Sequence, residues 1–282
     1  LDFPISAYHF SNKFRIEPRA KSVFLRCREF IMKDLYSAHL TGEELDEFYW
    51  KVATAYKLIF ERIGLDTKVV ESGGGVFTEN ITHEFQVLCE SGEDVIYYCE
   101  KCDFAQNKEI AKVKEGDKCP NCEGKVKVSN GIEIGNIFRF GTVYSEKMNT
   151  FAIDKNGKKQ FVHLGSYGIG ITRLMGTLVE IGNDDKGIIW PESIAPFKAH
   201  LIGLDKEMAD KVYTELIKAG VEVLYDDREA ASPGEKLADC DLIGIPYRLV
   251  VSQKSGDKIE LKKRTEDNPE LLTLEETIKK LQ

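Results

Sequence analysis

The sequence predicts an α/β protein of two domains, with a small cysteine-rich insertion in the first domain. Three observations lead to this prediction: one long helical pattern stands among short strand-like runs, two CxxC pairs interrupt those runs, and a regular strand–helix alternation begins after residue 196. We therefore expect one domain at residues 1–195, an insertion within it at 98–128, and a second domain at 196–282.

The long helix of the first domain begins at a capping box, Thr41-Gly42-Glu43-Glu44, and ends at Gly64. Between them, apolar residues recur at helical spacing: Leu45, Phe48, Val52, Tyr56, Ile59 and Ile63. We expect this stripe to pack on a sheet.

Short strands are predicted on both sides of the insertion. Residues 69–71 and 83–89 come before it, joined by a flexible turn at 72–75, and residues 131–140 and 161–164 follow it. A helix is expected after Gly170, ending near Gly182.

The second domain alternates strands and helices. The predicted strands are 200–204, 221–225, 247–251 and 258–261, and the predicted helices are 205–219 and 234–243. A last helix begins at Thr273, which forms a capping box with Glu276.

The insertion carries four of the seven cysteines, as Cys99, Cys102, Cys119 and Cys122. An odd total without a signal peptide favours a reducing compartment over a disulfide scaffold. Two CxxC turns at this spacing predict a tetrahedral zinc site, resembling a zinc ribbon, and the alternatives are free thiols or a site that has lost its metal.

The 47 acidic residues outnumber the 39 basic ones, giving a net charge of −8, which argues against a nonspecific nucleic-acid coat. A focused basic surface stays possible at residues 254–264, as does a solvated strand edge there. No apolar run approaches the roughly 18 residues of a membrane span. Leu1 is not an initiator methionine, so we expect the chain to begin inside a longer protein.

Two segments about 150 residues apart look like the halves of one nucleotide site. The first places Arg15 and Glu17 on one face of a predicted strand, followed by Arg26 and Phe30 on the next. The second runs from Gly165 to an arginine at a helix start, Arg173. Joining a carboxylate to the α-phosphorus of ATP requires two anions to be held together, and the planar, permanently charged guanidinium suits this task.

Each of these residues also has a plain structural interpretation. Arg15 and Glu17 fit a surface cross-strand pair, Gly168-x-Gly170 fits a tight turn, and Phe30 and Phe85 fit the core. Only their joint occurrence favours a site.

At this point the chain resembles prolyl-tRNA synthetase of the bacterial type, a class II aminoacyl-tRNA synthetase family. The motifs that carry the resemblance are Lys13-Phe14-Arg15-x-Glu17, Arg26-x-Arg28-Glu29-Phe30, His83-Glu84-Phe85, Gly165-x-Tyr167-Gly168-Ile169-Gly170, and Tyr225-Asp226-Asp227-Arg228 with Gly234-x-Lys236. It implies an α+β catalytic domain with an antiparallel sheet and a C-terminal anticodon-binding domain with a mixed sheet.

The resemblance implies ATP- and Mg²⁺-dependent activation of proline and its transfer to the proline tRNA by a cytoplasmic enzyme that is a homodimer at full length. The resemblance implies that ATP and the adenylate are bound by Arg15, Glu17, Arg26, Phe30, Gly168, Gly170 and Arg173. Of these residues, Arg15, Glu17 and Arg173 are implied to be catalytic. The resemblance also implies that His83, Glu84, Phe85 and Ser166 bind proline and that Arg228 and Lys236 bind the anticodon. A surface salt bridge of Arg228 with Asp226 or Asp227 is the alternative.

The sequence departs from the family pattern in several places. The first class-defining motif, the Thr-x-Glu element that grips the proline amine and the large editing domain are not found in it, and Asn136 and Ser166 stand where histidine and cysteine are expected. Three rival hypotheses therefore remain: another class II synthetase (histidyl, threonyl or glycyl), a non-catalytic paralogue or fragment that binds tRNA or a partner, and a zinc-ribbon nucleic-acid module.

Overall fold

The computed structural model describes residues 3–18, 20 and 24–282. They form two compact units, Leu1–Leu178 and Val179–Gln282. The structure thus divides the chain near residue 178, and the domain boundary at residue 195 stays a prediction.

The first unit holds ten strands and three helices among its described residues. In chain order they are β1 (Ile5–Phe14), β2 (Glu29–His39), α1 (Gly42–Arg62), β3 (Lys68–Ser72), β4 (Thr82–Leu88), β5 (Asp94–Cys99), β6 (Ala105–Asn107), β7 (Val126–Gly141), α2 (Val143–Lys147), β8 (Phe151–Ile153), β9 (Lys159–Phe161), β10 (His163–Gly170) and α3 (Ile171–Ile181).

Eight of these strands form one sheet in the order β1-β2-β10-β7-β4-β3-β6-β5. All its pairs are antiparallel except β3 with β6. The long strand β7 pairs with β5 through its first residues and with β4 and β10 through the rest, so the cysteine-rich insertion grows directly out of the sheet. The expected antiparallel sheet is confirmed.

Helix α1 covers one face of this sheet. Its N-cap Thr41 accepts a hydrogen bond from the Glu44 N–H, and Gly64 follows the helix with a φ of 83°, as the capping pattern predicts. The side chains that it buries are Leu45, Tyr49, Val52, Ala53, Tyr56 and Phe60. Ile59, expected in the stripe, is 40% exposed because it lies to one side of this row.

The second unit continues with β11 (Asn183–Asp184), β12 (Gly187–Ile188), β13 (Ala199–Gly203), α4 (Lys206–Lys218), β14 (Val223–Asp226), α5 (Pro233–Ile243), β15 (Tyr247–Val251), β16 (Ile259–Lys263), β17 (Glu270–Leu272) and α6 (Leu274–Leu281). Its main sheet has the order β14-β13-β15-β16-β17. The first three strands are parallel and the last two antiparallel, which confirms the mixed sheet.

The basic residues near 254–264 do not form one surface. Arg264 is 7% exposed and donates to both carboxylate oxygens of Asp184, and Lys262, equally buried, donates to the Glu266 carbonyl at 2.7 Å. Lys262 lies on β16 and Arg264 one residue beyond its end, and both side chains are buried. Within residues 3–18, 20 and 24–282, none of the helices is long and apolar enough to cross a membrane.

Candidate active site and metal site

The sheet face opposite α1 holds a cavity of about 660 Å³. Four directly paired residues form a row across its floor, Asp34, Gly168, Asn136 and Glu84, on β2, β10, β7 and β4. Directly paired residues of antiparallel strands share a face, so three polar side chains point into one space.

Two glycines, Gly168 and Gly170, leave the middle of the cavity floor without side chains. A Cβ at Gly168 would lie 3.3 Å from the Met32 Cε and 3.6 Å from the Asp34 Oδ1, and one at Gly170 would lie 3.4 Å from the Arg173 Cβ. These two glycines form the end of β10, and α3 begins immediately after them at Ile171. A side chain at Gly168 would press on the flexible end of Met32, whereas one at Gly170 would make ordinary van der Waals contact with Arg173.

Arg15 lies one residue beyond β1, not on the strand as expected. Its N–H donates to the Arg28 carbonyl at 2.9 Å, and its guanidinium lies 5.0 Å from the centre of the Phe30 ring. Both side chains line the cavity. The residue thus offers an exposed cation above an aromatic face.

Glu17 also departs from the expectation, because it lies in the loop after β1 and shares no strand face with Arg15. Its carboxylate instead pairs with Arg26 at 3.2 Å. A second carboxylate, from Glu93, accepts from Arg26 at 2.6 Å. Arg26 is held in place by two acidic partners.

Arg173 joins the two halves of the predicted nucleotide site. Its Nε donates to the Leu25 carbonyl at 2.8 Å, and its Nη1 donates to the carbonyl of Glu133 at 2.9 Å and to its carboxylate at 3.2 Å. The segment before β2, strand β7 and the start of α3 are therefore tied together beside the cavity. The structure thus brings the two segments together at one cavity, and their role as a nucleotide site stays a prediction.

The residues predicted for proline fall on two faces. Glu84 and Ser166 line the cavity, whereas His83 and Phe85 point toward α1. His83 Nδ1 lies 2.7 Å from the Tyr49 hydroxyl, and the Phe85 ring packs 5.4 Å from that of Phe60. Successive residues of a strand face opposite sides, so three consecutive side chains cannot all enter one pocket.

Glu84 is almost fully buried and surrounded by amides. Gln86 and Asn107 donate to its Oε2 at 2.9 and 3.4 Å, and Asn136 donates to its Oε1 at 3.4 Å. Burial, followed by the nearby charge of Glu133, raises the pKa of the Glu84 carboxyl to about 7. This site can bind or release a proton near neutral pH.

Two cavity groups have no role assigned from the sequence, although Asn136 is noted there as a departure from the family pattern. Asp34 is buried and pairs with Lys13 at 2.6 Å. Because side chains alternate along a strand, Asp34 faces the same side as Met32, and this spacing is the only signal in the sequence that could have indicated it as a cavity residue. The Asn136 Oδ1 atom is buried without a hydrogen-bond partner among the residues that the structure describes. An unpaired buried acceptor is costly unless a ligand or water donates to it.

The four cysteines of the insertion converge. Their Sγ atoms all lie within 4.8 Å of one another, with 3.6 Å between Cys99 and Cys122 and 3.5 Å between Cys102 and Cys119. A tetrahedral zinc with bonds of about 2.3 Å would need sulfur separations of about 3.8 Å. The group can hold one metal ion.

The backbone around these sulfurs also fits a metal. The N–H groups of Lys101, Asn121 and Gly124 point at three of the sulfurs, at 3.3 to 3.4 Å, which stabilises thiolates. A Cβ at Gly124 would lie 2.6 Å from the Cys99 Sγ, so only glycine leaves room for the cluster there.

In the second unit, the two residues predicted for the anticodon differ in exposure. Arg228 is half exposed and pairs with Asp226 and Asp239, both at 2.7 Å. Lys236 is 4% exposed and donates to the carbonyls of Gly203 and Asp226, both at 3.0 Å. The buried ammonium of Lys236 holds the loop and strand ends together and does not face solvent.

The antiparallel sheet, with arginines from two distant segments at one cavity, defines the core of a class II tRNA synthetase. A family model described as the tRNA synthetase class II core domain (G, H, P, S and T) matches residues 1–182, and one described as an anticodon-binding domain matches residues 193–282.

Curated relatives narrow the class. The chain is 39% identical to the "Proline--tRNA ligase" of Wolbachia sp. subsp. Drosophila simulans (strain wRi), covering 98% of the chain and 69% of the relative. It is 36% identical to that of Ehrlichia chaffeensis (strain Arkansas), covering 99% of the chain and 70% of the relative. The chain therefore belongs to the prolyl-tRNA synthetase family, which confirms the resemblance.

A solved structure agrees on the fold. Prolyl-tRNA synthetase from Cryptosporidium parvum, complexed with L-proline and AMP, superposes with a TM-score of 0.77 at 19% identity. The match covers 99% of this chain and 55% of that one, so the present chain spans about half of its length.

Proposed function

We propose that the protein is a proline–tRNA ligase, which activates proline with ATP to prolyl-adenylate and transfers it to the 3′ end of the proline tRNA. The observation that carries the proposal is the convergence of Arg15, Arg26 and Arg173 on one cavity, in a chain 39% identical to a proline–tRNA ligase. Their positive charge suits a site where two anionic reactants meet.

In this proposal the arginines bind and orient ATP and the adenylate. Arg15 is exposed and can bridge phosphate and carboxylate oxygens while Phe30 lies against the purine. Glu17 acts through Arg26, which it fixes, and Gly168 and Gly170 leave room for the nucleotide. With reactants held in line among fixed charges, adenylate formation needs no protein acid or base.

Arg173 lines the same cavity and would neutralise the terminal phosphate of ATP, and its contacts with Leu25 and Glu133 fix its direction. Magnesium, when bound with ATP, supplies further charge neutralisation. We assign its protein oxygen ligand to Glu133, the cavity carboxylate beside Arg173, because magnesium prefers carboxylate oxygens.

The polar row of the floor supports recognition of the proline amine. An ammonium placed above β7 can donate to the unpartnered Asn136 Oδ1 and to the Glu84 carboxylate, and Ser166 lies on the adjacent strand. His83 and Phe85 support β4 from the α1 side instead of touching the substrate. A cation at this place would also lower the pKa of Glu84 and favour its ionised form.

We also propose a zinc ion on Cys99, Cys102, Cys119 and Cys122. Its role is structural: four protein ligands complete a tetrahedron and leave no position open for chemistry. The small apolar group around the cysteines, with Phe104 and Val126, is too small to fold this segment alone.

For tRNA, we propose Arg228 as an anticodon contact and Lys236 as the residue that holds the neighbouring loop. A guanidinium can donate twice to one guanine edge, although Arg228 must first leave Asp226 or Asp239. A cytoplasmic location and a homodimer are parts of the same proposal, drawn from the family.

The test is amino-acid-dependent exchange of pyrophosphate into ATP, measured with proline, histidine, threonine and glycine, followed by charging of the proline tRNA. We expect exchange with proline alone. Exchange that depends on another of these amino acids would show that this amino acid, and not proline, is the substrate. No exchange, together with retained tRNA binding, would favour a non-catalytic paralogue.

A further inference from the structure

The cysteine-rich insertion reaches back to the candidate active site through one carboxylate. Glu109 Oε1 accepts hydrogen bonds from the Ser72 hydroxyl at 2.7 Å and from the Gly73 N–H at 2.5 Å. Ser72 is 1% exposed at the end of β3, and Gly73 lines the cavity. Glu109 therefore ties the insertion to the first residue of the cavity wall.

The wall that follows is held by hydrogen bonds to its backbone and not by side chains of its own: the Gly73 carbonyl accepts from the Thr82 hydroxyl at 3.3 Å, and the Gly74 carbonyl accepts from the Phe77 N–H at 3.0 Å. Gly73, Gly74 and Gly75 carry no side chains, and Val76 is 93% exposed. The next residue, Phe77, packs its ring 5.5 Å from Phe138 of β7. A glycine run has a large conformational entropy, so its position depends on these few hydrogen bonds, among which the one from the Gly73 N–H to Glu109 is the contact that the insertion supplies.

A second contact joins the same part of the insertion to the cavity floor. Strand β6 runs parallel to β3, with Gln106 donating to the Glu71 carboxylate at 2.8 Å and Asn107 to that of Glu84 at 3.4 Å. The Cys99 N–H donates to the Phe104 carbonyl at 2.9 Å, so the first CxxC turn leads directly into β6. The cysteine cluster thus sets where this strand lies.

We propose that Glu109 is a positioning residue for amino-acid binding: carried by the insertion, it holds the glycine-rich wall 73–75 in the conformation that closes the pocket beside Glu84. This inference rests on the proposed function. It gives the insertion a second task beyond its own folding, since the cluster and β6 place Glu109 and Asn107 at the pocket.

The experiment compares Glu109→Ala and Glu109→Gln in proline-dependent pyrophosphate exchange. Glu109→Ala removes the acceptor, and we expect the KM for proline to rise about tenfold while the KM for ATP stays within about twofold. Glu109→Gln keeps an oxygen in the same place and should restore most of the affinity. Glu123→Ala is the matched control, because Glu123 is an exposed glutamate of the same insertion that pairs with Lys118.

A second readout is hydrogen exchange of the amides at residues 73–78. Faster exchange in Glu109→Ala, but not in Glu123→Ala, is expected if the carboxylate fixes the wall. An active wild type whose KM for proline is unchanged by Glu109→Ala would overturn this inference alone. A wild type without proline-dependent exchange would overturn the proposed function, and the role of Glu109 in proline binding with it.

Discussion

Asn136 and Glu84 are directly paired across β7 and β4, with 3.4 Å between the Asn136 Nδ2 and the Glu84 Oε1. The amide offers this carboxyl a dipole and no charge, so it does little to offset the burial that raises the pKa of Glu84 to about 7. The row therefore combines a protonatable acceptor with the unpartnered Asn136 Oδ1, an arrangement suited to a cationic amine.

The raised pKa of Glu84 makes stability depend on pH. The unfolded carboxyl ionises near 4.5 and the folded one near 7, so the folded state binds more protons between these values. The free energy of unfolding should then fall as pH rises from 4.5 to 7, by on the order of 3 kcal/mol from this group. Urea unfolding of wild type and Glu84→Gln across this range checks it.

In that comparison, the unfolding free energy of wild type minus that of Glu84→Gln should fall by about 3 kcal/mol between pH 4.5 and 7 and stay constant above pH 7, because the uncharged Gln does not ionise. Glu61→Gln, at an exposed glutamate of α1, serves as the control and should give a difference that does not vary in this way. A constant difference for Glu84→Gln would show that Glu84 ionises normally in the fold.

Arg15→Ala should lower proline-dependent pyrophosphate exchange by about 10²- to 10³-fold, because a preorganised charge at the reacting phosphate is lost. Arg15 is exposed, so the variant should fold normally. Arg62→Ala, at an exposed arginine at the end of α1, should leave the rate unchanged. An Arg15→Ala rate equal to that of wild type would remove Arg15 from the site.

The cysteine cluster should bind about one zinc ion per chain, measured by elemental analysis after dialysis. Cys119→Ser should lose most of this metal and lower the thermal midpoint, because the insertion loses the bond that folds it. Cys89→Ser changes a half-buried thiol outside the cluster and should keep the metal. An equal zinc content in the two variants would show that the zinc is not bound by the cysteine cluster.

Lys236→Met should destabilise the second unit by on the order of 3 kcal/mol, since the carbonyls of Gly203 and Asp226 lose a shared buried donor. Chemical denaturation measures the loss. Because the methionine keeps the length and apolar contacts of the lysine stem, unaltered stability would mean that the ammonium contributes nothing to the fold.

Arg228→Ala should reduce charging of the proline tRNA about tenfold and leave pyrophosphate exchange intact, because the change lies in the second unit and affects a base contact only. Asp239 is about half exposed, but Asp226 is 7% exposed and would keep, among the described residues, only the residue-228 N–H and the Lys236 ammonium at 3.9 Å, so the variant should also lose some stability, which urea unfolding measures alongside charging. Lys211→Ala, which removes an exposed cation of α4, is the control and should leave charging unchanged. Charging by Arg228→Ala at the wild-type rate would favour a plain surface salt bridge.

Elements with local signals were predictable from the sequence. The capping boxes at Thr41 and Thr273 mark helix starts where the structure has them, because a cap depends on residues only three positions apart. The two CxxC turns likewise indicate a cluster, since each turn brings its own two sulfurs together.

The partners of side chains, and the sheet face toward which each side chain points, were harder to predict. The sequence predicts Arg15 and Glu17 on one face of a strand, but β1 ends at Phe14 and the carboxylate of Glu17, in the following loop, pairs with Arg26. His83 and Phe85 were placed with Glu84 because the motif is contiguous, whereas alternation along β4 sends them to the α1 side. A shift of one residue exchanges the faces, and no local pattern fixes it when both faces are buried.

The sequence by itself thus determined the class of sheet, the family, the cysteine cluster and the pair of arginine segments, all of which depend on local patterns or family motifs. Only the tertiary structure decided that Asp34, Asn136 and Glu84 share a row, that Lys236 is buried, and that Glu109 reaches the glycine-rich wall. These relations join residues 10 to about 100 positions apart, and strand register and packing, which set them, depend on the whole unit at once.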